Sequence, residues 1–218
     1  MHLKKNISSA VIRRLPRYFR YLADLLKLDI VRISSKELSS RMGITASQIR
    51  QDLNCFGGFG QQGYGYNVEL LYKEIGKILG LNNNYQTIII GAGNMGRALA
   101  NYTNFEKRGF KLVGIFDVNK ALIGKKIRNI EIMHLDTLQD FMNGTRVDIA
   151  VLTVPYEHTP EVADMVARMG IKALWNFSAM DLKLPYNVIV ENVHLSDSLM
   201  VLGYKLNEMK KREKEKKL

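Results

Sequence analysis

Three closely spaced glycines form the pattern in this sequence with the clearest chemical meaning. They follow a β-branched run at residues 87–90 and precede a helical run at residues 97–102. In a turn from strand to helix, the first glycine allows a tight bend, the second lets the backbone approach a pyrophosphate, and the third lets helix and strand pack closely. Free N–H groups at the helix N-terminus attract anions. The predicted pyrophosphate-binding residues are Gly91, Ala92, Gly93, Asn94, Met95 and Gly96.

An acidic residue completes this pattern. A second apolar run, at residues 111–116, ends in Asp117, which lies twenty-one residues after Gly96. A carboxylate at this place accepts hydrogen bonds from the adenosine ribose and repels a 2′-phosphate. The pattern therefore favours NAD(H) over NADP(H) as cofactor. Coenzyme A or another nucleotide bound by a similar fold remains the alternative.

Further candidates for ligand contacts lie where later strands are predicted to end. Residues 147–154 and 171–177 read as strands of a parallel sheet. Ligands of open α/β sheets bind at the carboxyl ends of the strands. The candidates at these ends are Thr153, Val154, Pro155 and Asn176, although simple strand termination accounts for the same residues.

No catalytic residue is assigned. A dehydrogenase needs a proton donor and a substrate pocket in addition to its cofactor. His134 and His158 follow predicted strands, but exposed loop histidines are ordinary. Only 138 residues follow the first eighty, which is enough for a nucleotide-binding fold and one terminal helix. We therefore expect no enzyme, with a small NAD-dependent oxidoreductase as the alternative.

The first eighty residues predict a separate helical unit. An apolar stripe at Val11, Leu15, Tyr18, Leu22 and Leu25 indicates an amphipathic helix. Capping boxes at residues 34–37 and 45–48 predict two more helices, separated by a glycine at position 43. This is the helix-turn-helix arrangement, whose second helix enters the major groove of DNA.

The predicted recognition helix leaves four polar side chains pointing outward. Arg50 can form two hydrogen bonds with guanine, and Gln48 or Gln51 can do the same with adenine. Ser47 lies beside them in the sequence. Glycines interleaved with aromatic residues at 56–66 then predict a β-hairpin, the wing of a winged helix. Its candidate DNA contacts are Gln61, Gln62 and Tyr64. Residues 68–81 read as a linking helix, with Leu70, Leu71, Ile75, Ile78 and Leu79 apolar.

Charge separates the chain into basic ends and a neutral centre. Residues 1–80 hold thirteen Lys and Arg against six Asp and Glu, residues 81–204 hold twelve of each, and residues 205–218 hold seven against three. Basic ends suit a polyanionic partner such as DNA. No apolar run approaches the roughly 18 residues of a membrane span, no secretory signal is visible, and the single cysteine, Cys55, suits a cytoplasmic protein without a metal or disulfide.

The last helix carries apolar residues at alternating spacings of four and three. They are Leu195, Leu199, Leu202, Leu206 and Met209. Such a seam predicts a homodimer, although the helix could instead cap its own domain. The predicted fold class is α/β: a winged helix-turn-helix at 1–81, a Rossmann-like parallel sheet at 82–193, and a dimerisation helix with a basic tail at 194–218.

In sequence the chain resembles the Rex family of bacterial redox-sensing transcriptional repressors. The likeness covers nearly the whole chain and is strongest at residues 14–16, 33–38, 47–50, 63–66, 91–99, 152–155, 170–173 and 176–177. The resemblance implies a homodimer on palindromic operator DNA with C-terminal helices exchanged between subunits. It also implies that NADH releases the operator, whereas NAD+ permits DNA binding.

The resemblance also assigns roles to individual positions and exposes departures. It places Arg50 in the recognition helix, Tyr102 and Arg20 in the sensing region, and Leu195 near the partner's nicotinamide. Where the family usually has basic residues, this chain has glutamine at 51, 61 and 62; we therefore expect weaker DNA binding with a shallow salt dependence. His194 stands where the family commonly has Asp, so an ion pair with Arg20 cannot form and the redox response is expected to change.

Overall fold

A computed structural model of the chain describes residues 7–61, 64–184 and 187–215. The chain divides into two compact units, Met1–Asn83 and Asn84–Leu218. Within the described ranges, no helix combines the length and apolar character needed to cross a membrane. Those same ranges hold no group of three or more His, Cys, Asp or Glu residues suited to a metal ion.

The first unit has winged-helix topology. Its elements are α1 (Ser9–Lys27), β1 (Arg32–Ile33), α2 (Ser35–Met42), α3 (Ala46–Asn54), β2 (Gly60–Gln61), β3 (Gly65–Asn67) and α4 (Val68–Ile78). The predicted hairpin is present, because β2 and β3 pair in antiparallel fashion. A third strand, β1, pairs with β3. The sequence pattern did not predict β1, since two residues are too few to show a period.

Local sequence explains how the helices of this unit begin and end. Ser34 and Glu37 form the reciprocal capping box at the start of α2, and Gly43 ends that helix in a left-handed conformation. The buried residues of α1 form the predicted stripe. The linking helix predicted at 68–81 is present as α4, and it packs against α1 as part of the core of this unit. Of the apolar residues noted in that helix, Leu70 and Ile78 are exposed.

The second unit is a doubly wound α/β domain. Its elements are β4 (Tyr85–Ile90), α5 (Asn94–Asn101), β5 (Phe110–Asp117), β6 (Lys126–Ile127), β7 (Ile130–His134), α6 (Leu138–Gly144), β8 (Ile149–Leu152), α7 (Thr159–Arg168), β9 (Ala173–Asn176), β10 (Ile189–Asn192) and α8 (Leu195–Glu215). The sheet has the order β10-β9-β8-β4-β5-β7-β6. Of the described pairings, the one between β6 and β7 is antiparallel and the others are parallel.

This strand order produces a topological switch point, which is where such folds usually bind ligands. The chain runs from β4 to β5 on one side and later returns to β8 on the other side of β4. At such a switch point the loops after neighbouring strands diverge and leave a crevice beyond their carboxyl ends. The glycine-rich turn follows β4, and Thr153 follows β8. Both predicted strands at 147–154 and 171–177 exist but are shorter, and β10 was not predicted.

The two faces of the sheet are covered differently. On one face, Ile88, Ile90 and Leu152 pack with residues of α6 and α7. On the other face, Ile89, Ile115 and Val151 share a core cluster with Ala100 of α5. Residues of α8 are largely exposed throughout its described length.

Candidate functional site

The turn after β4 has the geometry that its glycines predict. Gly91 has a φ of +100°, and a Cβ there would lie 2.7 Å from the Thr153 carbonyl oxygen. At Gly96 a Cβ would lie 1.9 Å from the carbonyl oxygen of Gly91. By contrast, a Cβ at Gly93 would meet no atom within 4 Å. Gly91 and Gly96 are therefore required by the fold, whereas Gly93 leaves one side of the turn open.

The open side leads to the N-terminus of α5. Gly93 is the N-cap residue, and no side chain caps the helix there. Unpaired backbone N–H groups and the helix dipole at this end favour an anion. The exposed Arg97 in the first turn donates to Asn94 at 2.8 Å, which adds a positive charge beside this end. Sequence reasoning did not single out Arg97, although a cation one turn into the helix was a visible signal.

Thr153 connects the turn to the neighbouring strand. Its hydroxyl lies 2.7 Å from the Gly91 carbonyl oxygen and 3.1 Å from that of Ile90. Its backbone N–H also donates to Ile90. Thr153 therefore holds the glycine turn in place from β8. Val154 and Pro155 follow it at the strand end, half-buried and exposed respectively.

Asp117 reaches the same turn from the end of β5. One carboxylate oxygen accepts the N–H of Ala92, and the other accepts the N–H of Asn119 at 2.8 Å. The side chain stays partly exposed, so its oxygens retain acceptor capacity toward solvent. Ala92 is fully buried and its N–H is occupied. Ala92 was expected to contact a ligand; instead it braces the turn.

Three other predicted residues do not join this group. Asn176 is fully buried; its amide donates to Met180 and Asn192 and accepts from Ser178, so its side chain is not open to a ligand. Tyr102 follows the C-terminal end of α5, about 12 Å along the helix from the turn at 1.5 Å per residue. Leu195 is exposed at the first position of α8.

The recognition helix of the first unit, α3, presents part of the predicted polar surface. Ser47, Arg50 and Gln51 are exposed. Arg50 donates to the Ser35 hydroxyl at 3.1 Å, which anchors it to α2. Gln48 was expected to point freely outward, but it is half-buried and donates to Asp52 at 2.8 Å. The second capping box is therefore only half present: Thr45 caps the Gln48 N–H, but the Gln48 side chain is engaged elsewhere.

Among the predicted DNA contacts of the wing, the side chain of Tyr64 lies within the described residues. Tyr64 is 71% exposed, and the Arg32 guanidinium lies 5.9 Å from its ring centre. Arg32 also donates to the Tyr64 carbonyl oxygen at 3.3 Å. Gln61 contributes its backbone to β2, but its side chain and the whole of Gln62 lie outside the described residues. Arg32 is a cation at the wing that sequence reasoning missed, because only strand pairing brings it there.

The two predicted switch residues belong to different units. Arg20 is exposed on α1. His194 precedes α8, and its Nε2 lies 2.9 Å from an Asp181 carboxylate oxygen. The hydrogen bond with Asp181 raises the pKa of His194; burial opposes this rise, and the charges of Asp181 and Asp197 add to it. His194 therefore has an acidic partner on its own chain.

The chain combines a winged helix with a doubly wound domain. In that domain the turn at residues 91–96, called the phosphate turn, is framed by glycines and leads into a helix without a side-chain cap. These two features define the class of nucleotide-responsive DNA-binding proteins. Two family models match the chain: "Putative DNA-binding protein N-terminus" over residues 6–54 and "CoA binding domain" over residues 82–180. The chain is 62% identical over 208 residues to the redox-sensing transcriptional repressor Rex of Thermoanaerobacter pseudethanolicus, covering 95% of this chain and 93% of that protein. The chain belongs to the Rex family of redox-sensing transcriptional repressors.

Solved structures agree with this assignment over both units. One, of RSP in complex with β-NAD+ and operator DNA, is 60% identical with a TM-score of 0.89 and covers 97% of this chain and 98% of that one. Another, of RSP in complex with β-NADH, is 58% identical with a TM-score of 0.89 and covers 96% and 99%. The predicted family and fold class are confirmed. The close relatives are named as repressors, not as enzymes.

Proposed function

We propose that this chain is a transcriptional repressor that senses the NADH/NAD+ ratio, binding operator DNA and releasing it when NADH binds. The observation that carries this proposal is one chain holding a winged helix and an intact phosphate turn, at 60% identity to a repressor solved with NAD+ and operator DNA. The cofactor is NAD(H). Because the proposed partner is operator DNA, we expect the protein to act in the cytoplasm.

Fluorescence anisotropy of a labelled operator tests this function directly. The purified chain is titrated onto the DNA, and NADH and NAD+ are then added separately. Release by NADH but not by NAD+ is the expected result. Binding that is indifferent to both nucleotides would leave a DNA-binding protein without redox sensing, and an absence of DNA binding would contradict the repressor.

Coenzyme A is a second candidate ligand, because the family model over residues 82–180 is described as a CoA binding domain. It shares a pyrophosphate with NAD(H), so the same helix N-terminus suits both. Nucleotide released from the purified protein by denaturation and identified by mass spectrometry distinguishes the two. A stoichiometric yield of coenzyme A would replace NAD(H) in the proposal.

At the phosphate turn we assign direct contacts to the open residues and a supporting role to the buried ones. Gly93, Asn94 and the first N–H groups of α5 face the phosphates, and Asp117 accepts the ribose hydroxyls. Gly91, Gly96 and Thr153 keep the turn in shape. The negative charge of Asp117 disfavours a 2′-phosphate, which selects NAD(H) over NADP(H).

We further propose a homodimer in which the two α8 helices are exchanged. The seam residues of α8, from Leu195 to Met209, are 45–68% exposed, so none of the described residues of their own chain covers them. The sheet face opposite α6 and α7 leaves a cleft of 370 Å³ lined by Ile89, Leu112, Val151 and Trp175. Doubly wound sheets are normally covered on both faces. A helix from a second copy would complete the layer to which α5 contributes, and each leucine it buries would contribute about 1.5–3 kcal/mol.

Sedimentation equilibrium tests this arrangement. Leu199→Asp places a charge in the seam and is expected to weaken the dimer by at least tenfold, on the order of 1.4 kcal/mol. Ser196→Asp adds the same charge at an exposed position in the first turn of α8 and serves as the control. A dimer also implies a palindromic operator with half-sites about 10 base pairs or a multiple apart. Equal binding to one half-site and to the palindrome would contradict this.

A further inference from the structure

A fully buried carboxylate joins α1 to the recognition helix. Asp52 on α3 is 0% exposed. Its oxygens accept hydrogen bonds from Nε and Nη2 of Arg14 at 2.6 and 2.8 Å, and from the Tyr18 hydroxyl at 2.9 Å. The fourth donor is Nε2 of Gln48, at 2.8 Å and one turn earlier on the same helix. A buried charge needs such a complete set of partners.

The carboxylate stays ionised, so it can only accept hydrogen bonds. Burial would raise the pKa of Asp52, but hydrogen bonds from Arg14, Gln48 and Tyr18 outweigh it and hold the pKa below its usual value. Burial and the bond to Asp52 also raise the pKa of Tyr18, which remains a donor. An acceptor at this position dictates the orientation of the Gln48 amide. Nε2 must face Asp52, and the carbonyl Oε1 must face away.

The outer part of the Gln48 amide is unoccupied. In the described part of the chain, Oε1 of Gln48 accepts no hydrogen bond, and Nε2 retains a second N–H. An amide that presents an acceptor beside a donor matches the N6 amino group and N7 atom of adenine in the major groove. With the amide reversed, its donor would face the N6 amino group and its acceptor would face N7, so the two groups would not match adenine.

We propose that Asp52, held by Arg14 and Tyr18, is a positioning residue for base recognition, setting the Gln48 amide of the recognition helix to select adenine. The inference rests on the operator binding proposed above and specifies one of its base contacts. Asp52 itself touches no DNA, since it is fully buried. The Asp52 carboxylate excludes the alternative orientation of the Gln48 amide before the protein binds DNA.

The experiment measures anisotropy with the full-length chain on the operator, on operators substituted symmetrically at one position per half-site, and on an unrelated duplex. The variants are Asp52→Asn and Gln48→Ala, separately and together. Asn54→Ala is the matched control, because Asn54 is exposed on the same helix and its side chain makes no bond to Asp52. Arg14→Lys is the variant to use if Asp52→Asn does not fold, as judged by circular dichroism.

One base-pair position should lose discrimination in both single variants. Wild type is expected to prefer adenine there by on the order of tenfold, and Gln48→Ala and Asp52→Asn should each reduce this preference to within about twofold. The double variant should lose no more than either alone. Arg14→Lys should weaken the preference at the same position, while binding to the unrelated duplex and discrimination in Asn54→Ala stay unchanged.

Three results would overturn the proposal. They are full discrimination in Asp52→Asn or Arg14→Lys, additive losses in the double variant, and a loss spread evenly over all positions, which a purely structural role would produce. Wild-type binding to the unsubstituted operator tests the repressor function separately. A failure there is therefore distinguishable from a failure of the role assigned to Asp52.

Discussion

Alanine at Gly93 and at Gly96 adds the same methyl group to the phosphate turn but should have opposite consequences. At Gly93 the new Cβ meets no atom within 4 Å, and the φ of −69° suits any residue. The folded state should therefore tolerate Gly93→Ala, with a gain of about 0.4–1 kcal/mol from reduced freedom of the unfolded chain. A bound pyrophosphate, however, would meet this methyl group.

At Gly96 the methyl group meets protein. Its Cβ would lie 1.9 Å from the Gly91 carbonyl oxygen and 2.9 Å from the Thr153 hydroxyl. Since the nearest atom is backbone, α5 and the turn must separate. Overpacking of this kind destabilises by about 1–3 kcal/mol or more. Each kcal/mol corresponds to about 2–4 °C in the midpoint of thermal unfolding for a chain of this size.

Two measurements on both variants check this reasoning. Thermal unfolding followed by circular dichroism should raise the midpoint of Gly93→Ala by about 1–4 °C and lower that of Gly96→Ala by about 2–12 °C. NADH titration by fluorescence should show at least a tenfold weaker affinity for Gly93→Ala, about 1.4 kcal/mol. Wild-type NADH affinity in Gly93→Ala would refute the placement of the phosphates on the open side of the turn. Unchanged stability of Gly96→Ala would refute the packing argument.

Three further predictions follow from the electrostatics of the chain. Gln51→Lys should add a phosphate contact, steepening the plot of log affinity against log salt on operator DNA by about 0.9 per subunit; an unchanged slope would remove Gln51 from the interface. Asp117→Asn keeps an acceptor but loses the charge, so the ratio of NADPH to NADH affinity should rise, and a constant ratio would count against a ribose contact. The raised pKa of His194 means that its pair with Asp181 stabilises the fold below the unfolded pKa of about 6.5 and loses this effect as pH rises through the folded pKa. Proton NMR should show a lower pKa for His194 in Asp181→Asn, and equal titration curves would exclude the pair.

Features that depend on neighbours in sequence were predictable. The capping box from Ser34 to Glu37 and the glycine that ends α2 involve residues within one or two turns of each other. The phosphate turn was equally predictable, because a side chain at position 96 would collide with the carbonyl oxygen of Gly91, only five positions earlier. Asp117 was placed correctly at the turn because a strand that ends beside β4 brings its last residue there.

The wrong expectations concerned side chains whose surroundings come from distant parts of the chain. Gln48 was expected to be free, but its partner Asp52 is held by Arg14, thirty-eight residues away from it in sequence. Asn176 was expected to face a ligand, but β10 places Asn192 against its amide. The periodicity of a helix or strand predicts which face is apolar. It does not predict which polar group forms a hydrogen bond with a given polar side chain.

The sequence by itself determined the order of the two units, the course of the helices and the identity of the phosphate turn, since these follow from periodicity, capping and backbone sterics over short spans. Only the tertiary structure decided that β1 and β10 exist, because strands of two and four residues are stabilised by their pairing rather than by their own pattern. It likewise decided which apolar surfaces stay uncovered, the cleft beside Trp175 and the seam of α8, because burial depends on how elements pack and not on composition.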